Sequence, residues 1–308
     1  MQLARILKPG LMISQVHPES RQREGETLRT LENALALGFF QAFQTVDVPY
    51  PSERKKIAQR IKENGLAMTY SLARIVYESR LNLASMDSAL RRESVARIIT
   101  GLEGAREQGA QFVQFVSGPA PVNPEHRGEA LSRLNESLLE VCRAARYEPK
   151  LTVLIEPLDV FAHKKGALGY TKEAVALVKA LRREADNVGL CLDTAHMMLN
   201  GENVAESLKS ARDETCEIHF CNCITDVGHP LYGDHHIPFG PPGVLDIEGI
   251  AAVLFQGHEI GFFSETKHPG AFCEVFNKSG DIEGAVSDCI QNLQAAEKTF
   301  QSMLEQRK

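Results

Sequence analysis

The sequence predicts an α/β protein, a single (β/α)8 TIM barrel with a long C-terminal helix, and three observations carry the prediction. Apolar runs of four to eight residues alternate with amphipathic stretches of twelve or more across short Gly, Pro, Asn and Asp breaks, which is the rhythm of β/α units. Eight strand candidates can be counted, each followed by a helix candidate, the natural number for a closed parallel barrel. The first strand-to-helix turn lacks the G-x-G-x-x-G that a doubly wound nucleotide-binding sheet would favour. With 308 residues and 43% hydrophobic positions, residues 1–308 are expected to form one barrel domain, since no low-complexity linker or composition shift divides them.

Taken in order, the first strand is expected within Leu11 to Gln15, and the helix TLRTLENALALG after it is stopped by Gly38. FFQAFQTV is strand two. Ser52, beyond Pro49 and Pro51, is then the expected N-cap of the helix SERKKIAQRIKENG, which Gly65 ends. LAMTYSL is strand three, followed by a long helix from Ser88 to Gln108, the strand QFVQFV, the helix EALSRLNESLLEVCRAAR and the strand LTVLIEP. Past a loop over 162–170 come KEAVALVKALRREA, VGLCLDT, NVAESLKSARDE, CEIHFCNC, DIEGIAAVLFQ and GFFSETK. A helix from Asp281 to Leu304 closes the chain, where it can brace a neighbouring subunit or cover the lower face of the barrel.

Lys and Arg total 34 against 40 Asp and Glu, a formal charge of −6, so no broad electrostatic footprint for nucleic acid is present. The seven cysteines, without a secretory leader, are expected as free thiols of a cytoplasmic protein. No apolar run approaches the ~18 residues of a membrane span.

In a barrel of this kind chemistry belongs at the carboxyl ends of the strands. Strand five ends in Glu156, strand six in Asp193 with His196 three residues on, strand seven carries His219, and FFSETK, read as strand eight, carries Glu265. A lone carboxylate in an apolar strand costs several kcal/mol, and three converging on one mouth repel one another. Each acid alone can serve simply as the N-cap of the next helix, Asp193 above all, but four such residues on four consecutive strands point to a divalent cation. Two Glu, one Asp and one His form an oxygen-rich set that suits Mn2+, Mg2+, Co2+ or Zn2+.

The settings of these residues, IEPLD at 155–159, LDTAH at 192–196, EIHF at 217–220 and SETK at 264–267, with HHIPFGPPGVLD at 235–246, resemble the sugar phosphate isomerase/epimerase branch of the xylose isomerase-like barrel superfamily. The resemblance implies that Glu156, Asp193, His219 and Glu265 hold one divalent ion, Mn2+ first. It implies further that His196 touches a substrate oxygen and that Glu156 and Glu265 act as acid and base on opposite faces of the substrate. A ketone and its neighbouring hydroxyl chelated by such an ion acidify the intervening C–H and stabilise an enediolate.

Apurinic-site endonucleases share the superfamily but need extra histidines after strands three and four. Here those ends read MTYSL and QFVSGP, although Asp234 and His236 supply the Asp-x-His after strand seven. His236 is therefore read as a substrate-binding residue. The arginine that ketose 3-epimerases carry after the strand-seven histidine is absent from CNCITDVGHPLYGD, while Lys267, two residues beyond Glu265, is expected to face the same interior and to bind a substrate carboxylate or polarise its carbonyl. His219, Cys221 and Cys223 could mimic a zinc site, but cysteines on a straight strand are more often small core residues. His163, Lys164 and Lys165 make a short basic loop that can contact an anionic group or simply be solvated.

These readings favour a metal-dependent isomerase or epimerase of a small keto sugar or keto sugar acid. The alternative is a lyase, a decarboxylase or dehydratase of a 3-keto sugar acid such as a 3-oxo-isoapionate-like or inosose-like substrate. An apurinic-site endonuclease and a non-catalytic sugar-binding barrel stand behind both. The expected partner is a small carbohydrate, with neither nucleic acid nor membrane, in a homodimer or homotetramer.

Overall fold

In the computed structural model, residues 3–307 are described, and residues 1, 2 and 308 of the expected domain lie outside them. Seven strands come first along the chain: β1 (Lys8–Met12), β2 (Ala42–Val46), β3 (Ala67–Ser71), β4 (Phe112–Val116), β5 (Thr152–Glu156), β6 (Val188–Asp193) and β7 (Thr215–Phe220). A two-stranded antiparallel sheet follows, β8 (Asn222–Ile224) with β9 (Gly233–Ile237), and the chain then enters β10 (Gly270–Cys273). β1 to β7 and β10 close a parallel barrel in the order β1-β10-β7-β6-β5-β4-β3-β2. The barrel strands are buried nearly throughout, all six positions of β6 included, because helices cover their outer face and side chains fill the inside.

Between the strands run the covering helices Glu26–Ala36, Pro51–Asn64, Ser88–Glu107, Arg127–Ala145, Thr171–Leu181, Val204–Ser210 and Ile247–Glu259, and Ile282–Gln306 closes the ring. Their ends follow the local chemistry. Asp87, Asp246 and Asp281 each cap a helix by accepting a backbone amide, and Gly65 ends its helix in the left-handed conformation at φ 61°. The helix after β2 starts at Pro51, so Ser52 lies inside the first turn and is not the cap. A proline gives up no helical hydrogen bond at that position. The first strand is Lys8–Met12, three residues earlier than expected, and Ile13–Val16 turns helical instead.

The larger departure is at the last barrel strand. The run FFSETK is not that strand. Phe262 and Phe263 are fully buried, and both of their amides donate to Gly257 O at 2.8 and 3.1 Å, so the pair locks the C-terminus of the helix Ile247–Glu259. Gly261, at φ 73°, makes the left-handed turn this lock requires. Residues 264–267 turn beneath the barrel, and the chain rises as β10 only from Gly270.

Inside the barrel Phe272 of β10 packs with Met12 and Ala42, and its ring meets the His219 ring edge to face at 5.7 Å. Gly10 of β1 makes that packing feasible, since a Cβ there would stand 2.3 Å from Cε1 of Phe272.

Candidate metal centre

At the carboxyl end of the barrel one ligand atom from each of Glu156, Asp193, His219 and Glu274 lies within 4.8 Å of the others, all four residues buried. They come from the adjacent strands β5, β6 and β7 and from the residue just past β10. The register sets Asp193 beside His219 and His219 beside Phe272, two residues before Glu274. His219 Nδ1 is 3.0 Å from Glu274 Oε2 and 3.7 Å from Glu156 Oε1. Its Nε2 faces the other way, 3.2 Å from both Gln44 Oε1 and Cys191 Sγ, so Gln44 can orient the ring with Nδ1 toward the carboxylates.

Three of the four residues are those the sequence singled out; the fourth is not. Glu265 lies in the turn before β10, at the opposite end of the barrel, with its side chain 72% exposed and Arg5 4.0 Å away. Lys267, in the same turn, packs its ammonium 5.5 Å from the centre of the Phe262 ring, not beside the cluster. The error is one of register: SETK belongs to a helix-terminating turn. Glu274 was visible in the sequence as the acid that ends the apolar run AFC, the pattern that identified Glu156 and Asp193.

Amide side chains hold the glutamates. Gln114 Nε2 donates to Glu156 Oε2, and Gln114 Oε1 accepts from the Ser71 hydroxyl. Gln15 Nε2 donates to Glu274 Oε1 at 2.9 Å and lies 3.0 Å from His236 Nδ1. Asp193 also caps the helix Thr194–Leu199 by accepting the His196 amide at 3.0 Å, so the capping role and the cluster position belong to the same side chain.

The electrostatics of the four suit a cation. Burial first, then the Glu274, Asp234 and Glu156 charges, push Asp193 up to about 8 against the pull of His196. Ionisation of Asp193 beside Glu156 and Glu274 is therefore favoured by a further positive charge in the cluster. His219 Nδ1, buried and aimed at them, has no hydrogen-bond partner among the described residues. An oxygen-rich set with one free imidazole nitrogen fits a divalent metal.

Above the cluster lies a cavity of about 430 Å3, lined among others by Gln15, Tyr77, Lys164, His196, Asp234 and His236. Burial disfavours charge on His196, but the hydrogen bond to Asp159 (3.3 Å) and the Asp193, Asp234 and Glu156 carboxylates outweigh it and raise it to about 10. His236 is likewise raised to about 9 in spite of burial by Glu274 and by Asp234, whose Oδ2 is 3.1 Å from its Nε2. The surrounding carboxylates thus favour the protonated form of both rings. Cys221 and Cys223 pack with Ala195, and all seven cysteines are free thiols. No helix is long and apolar enough to cross a membrane among the described residues.

Residues 31–300 match the family model described as xylose isomerase-like TIM barrel. The chain belongs to that family. Solved structures similar to this barrel include an L-ribulose 3-epimerase (TM-score 0.72, 17% identity, 98% of each chain covered) and a D-tagatose 3-epimerase-like protein (0.71, 19%, 98% of this chain and 100% of that one). Another is the IOLI protein with a bound zinc atom (0.72, 18%, 96% and 99%). At these identities the likeness is one of fold. Among curated proteins, a probable endonuclease 4 of Aquifex aeolicus (strain VF5) is 33% identical over 184 residues, 56% of this chain and 62% of that relative, so the match spans less than two thirds of it. A probable endonuclease 4 of Sulfurihydrogenibium sp. (strain YO3AOP1) is 28% identical over 212 residues, 64% of this chain and 72% of the relative.

Proposed function

We propose that this xylose isomerase-like barrel is a divalent-metal-dependent isomerase or epimerase of a small keto sugar or keto sugar acid. The observation that carries the reading is the buried Glu156, Asp193, His219 and Glu274 set at the floor of a cavity about 430 Å3 in volume, the scale of a small polar ligand. Mn2+, Zn2+, Mg2+ or Co2+ bound there would polarise a ketone and acidify the C–H beside it.

The chain's own groups complete the chemistry. Glu156 and Glu274 stand at the two ends of the arc β5-β6-β7-β10, each with one oxygen anchored by an amide, Gln114 and Gln15 respectively. One carboxylate is thus placed to lift the proton from the carbon next to the ketone, and the other to return it at the neighbouring carbon or on the opposite face. His196 and His236, backed by Asp159 and Asp234, would donate to substrate oxygens and stabilise charge that develops on them. Enzymes carrying sugar epimerase names share the fold, which supports the substrate class. Free thiols in all seven cysteines accord with a cytoplasmic protein. We read residues 1–308 as one domain, and a homodimer or homotetramer as its assembly.

The test is turnover. Glu156→Gln and Glu274→Gln should each abolish it while circular dichroism stays unchanged, and a chelator should inactivate the native protein. Full activity after exhaustive metal removal sinks the mechanism. The lyase reading has lost Lys267 and keeps the absence of an arginine after β7. Mass spectrometry of candidate keto acids separates the two, since isomerisation conserves mass and loss of water or CO2 does not. The curated relatives give the nuclease reading one observation. Against it, Ser71 and Gln114 line the cavity from strands three and four, where that chemistry needs extra histidines, and cleavage of an abasic duplex would reverse the judgement.

A further inference from the structure

The proposed chemistry leaves one feature unused, the basic run His163-Lys164-Lys165 on the loop after β5. The structure sorts the three. The His163 ring stacks on His235 at 4.3 Å, Lys165 points to solvent, and Lys164 alone lines the cavity. Its amide is tied to Asp159 Oδ1 and Oδ2 at 3.0 and 3.1 Å, which fixes the loop. Its ammonium sits 3.3 Å from Asp234 Oδ2 and 6.0 Å from the centre of the Tyr77 ring, with the side chain 24% exposed.

A second cation faces the same cavity from a separate element. Arg74, on the helix Ala73–Glu78 after β3, lies one turn before Tyr77 and is held by Glu78 at 2.6 Å. The contacts Lys164–Asp234 (3.3 Å), Asp234–His236 (3.1 Å) and His236–Glu274 (3.6 Å) run in series from the loop to the carboxylate cluster. A small sugar chelated at the cluster can therefore reach Lys164 with its far end.

We propose that the natural substrate ends in an anionic group, a carboxylate or a phosphate, held by Lys164 with Arg74 as the second cation, while its ketone end lies at Glu156, Asp193, His219 and Glu274. The inference rests on the sugar reading above and narrows its substrate class. A counter-ion role for Lys164 is insufficient by itself. Asp234 already has His236 Nε2 at 3.1 Å and the Cys221 thiol donating at 3.4 Å, with His196 Nε2 at 3.8 Å. The lysine ammonium has three donors and meets one carboxylate, which leaves donors for a ligand in a place where an unused half-buried cation is costly.

The experiment uses the full chain loaded with Mn2+ and three probes that share one ketose head: D-tagatose, D-tagaturonate and D-tagatose 6-phosphate, each titrated calorimetrically. At least one anionic probe should bind about tenfold or more tightly than D-tagatose, the scale of one charged hydrogen bond. The ratio between them should collapse in Lys164→Gln and return in Lys164→Arg, with melting temperatures reporting that both variants fold. Arg74→Gln, whose partner Glu78 is largely exposed, should narrow the ratio as well and serves if Lys164→Gln does not fold. Which anion wins distinguishes carboxylate from phosphate. Equal binding of all three probes, or a ratio that survives in the variants, overturns the inference and leaves the sugar reading standing. Binding of none of them overturns both.

Discussion

Replacing Glu274 by Gln is the most direct test of how the barrel's last strand is placed, because it separates the carboxylate in the cluster from the one the local sequence favoured. The substitution keeps shape and the contact with Gln15 but removes one of the three negative charges that face His219 Nδ1. Changes to residues that merely orient metal ligands already cost about 10–100-fold in affinity. Losing a charged ligand outright should cost at least about 100-fold, or about 3 kcal/mol at 1.4 kcal/mol per decade. Glu265→Gln is the matched control. Its carboxylate is 72% exposed and pairs with Arg5 at 4.0 Å, a distance at which two charges in water attract by about 1 kcal/mol before screening. It should leave metal affinity and melting temperature nearly unchanged. Calorimetric titration with Mn2+ or Zn2+ on both variants reads the contrast. Wild-type affinity in Glu274→Gln, or an equal loss in Glu265→Gln, refutes the assignment.

Other expectations follow from the packing and the charges. Gly10→Ala puts a methyl 2.3–2.8 Å from three Phe272 ring atoms, so it should destabilise the fold by about 1–3 kcal/mol in urea melts; adding Phe272→Leu should recover part of that loss, and strict additivity would count against the contact. Asp159 is held down at about 2: burial would raise it, but the His196 contact and the amides of His163 and Lys164 prevail. A depressed carboxyl stabilises the fold above its unfolded value of 3.8, by about 2–3 kcal/mol at 1.4 kcal/mol per unit, and that share disappears as pH falls toward 2. The stability gap between wild type and Asp159→Asn should therefore be full at pH 6 and narrow below pH 4; a gap that widens on acidification would show that the carboxylate is not the source. Gln44→Leu removes the acceptor 3.2 Å from His219 Nε2 and should weaken Mn2+ binding by about 10–100-fold without changing which residues ligate.

Much of this protein was legible from its sequence because periodicity and punctuation are local. β2 to β6 fall inside the runs that alternation marked, β7 and the helices after these strands overlap theirs, and the acids ending LTVLIE and VGLCLD, with His219 between apolar neighbours, stand out because a buried charge in such a run needs a partner. The last strand resisted this logic. FFSETK and AFCEV are both short apolar runs that end in Glu, and nothing within either tells a strand from the lock at a helix end. The difference lies in contacts distant from the run itself: the amides of Phe262 and Phe263 turn back on Gly257, while Gly270 to Cys273 find β1 and β7 on either side. Gln15, Gln44, Gln114 and Asp159 were equally silent, since an amide or acid near a strand end has no meaning until closure of the barrel sets it against a ligand. Residue chemistry and local period determined the fold class and three of the four cluster residues. Only the closed barrel decided the fourth, because ring closure brings residues more than a hundred positions apart within one ligand shell of each other.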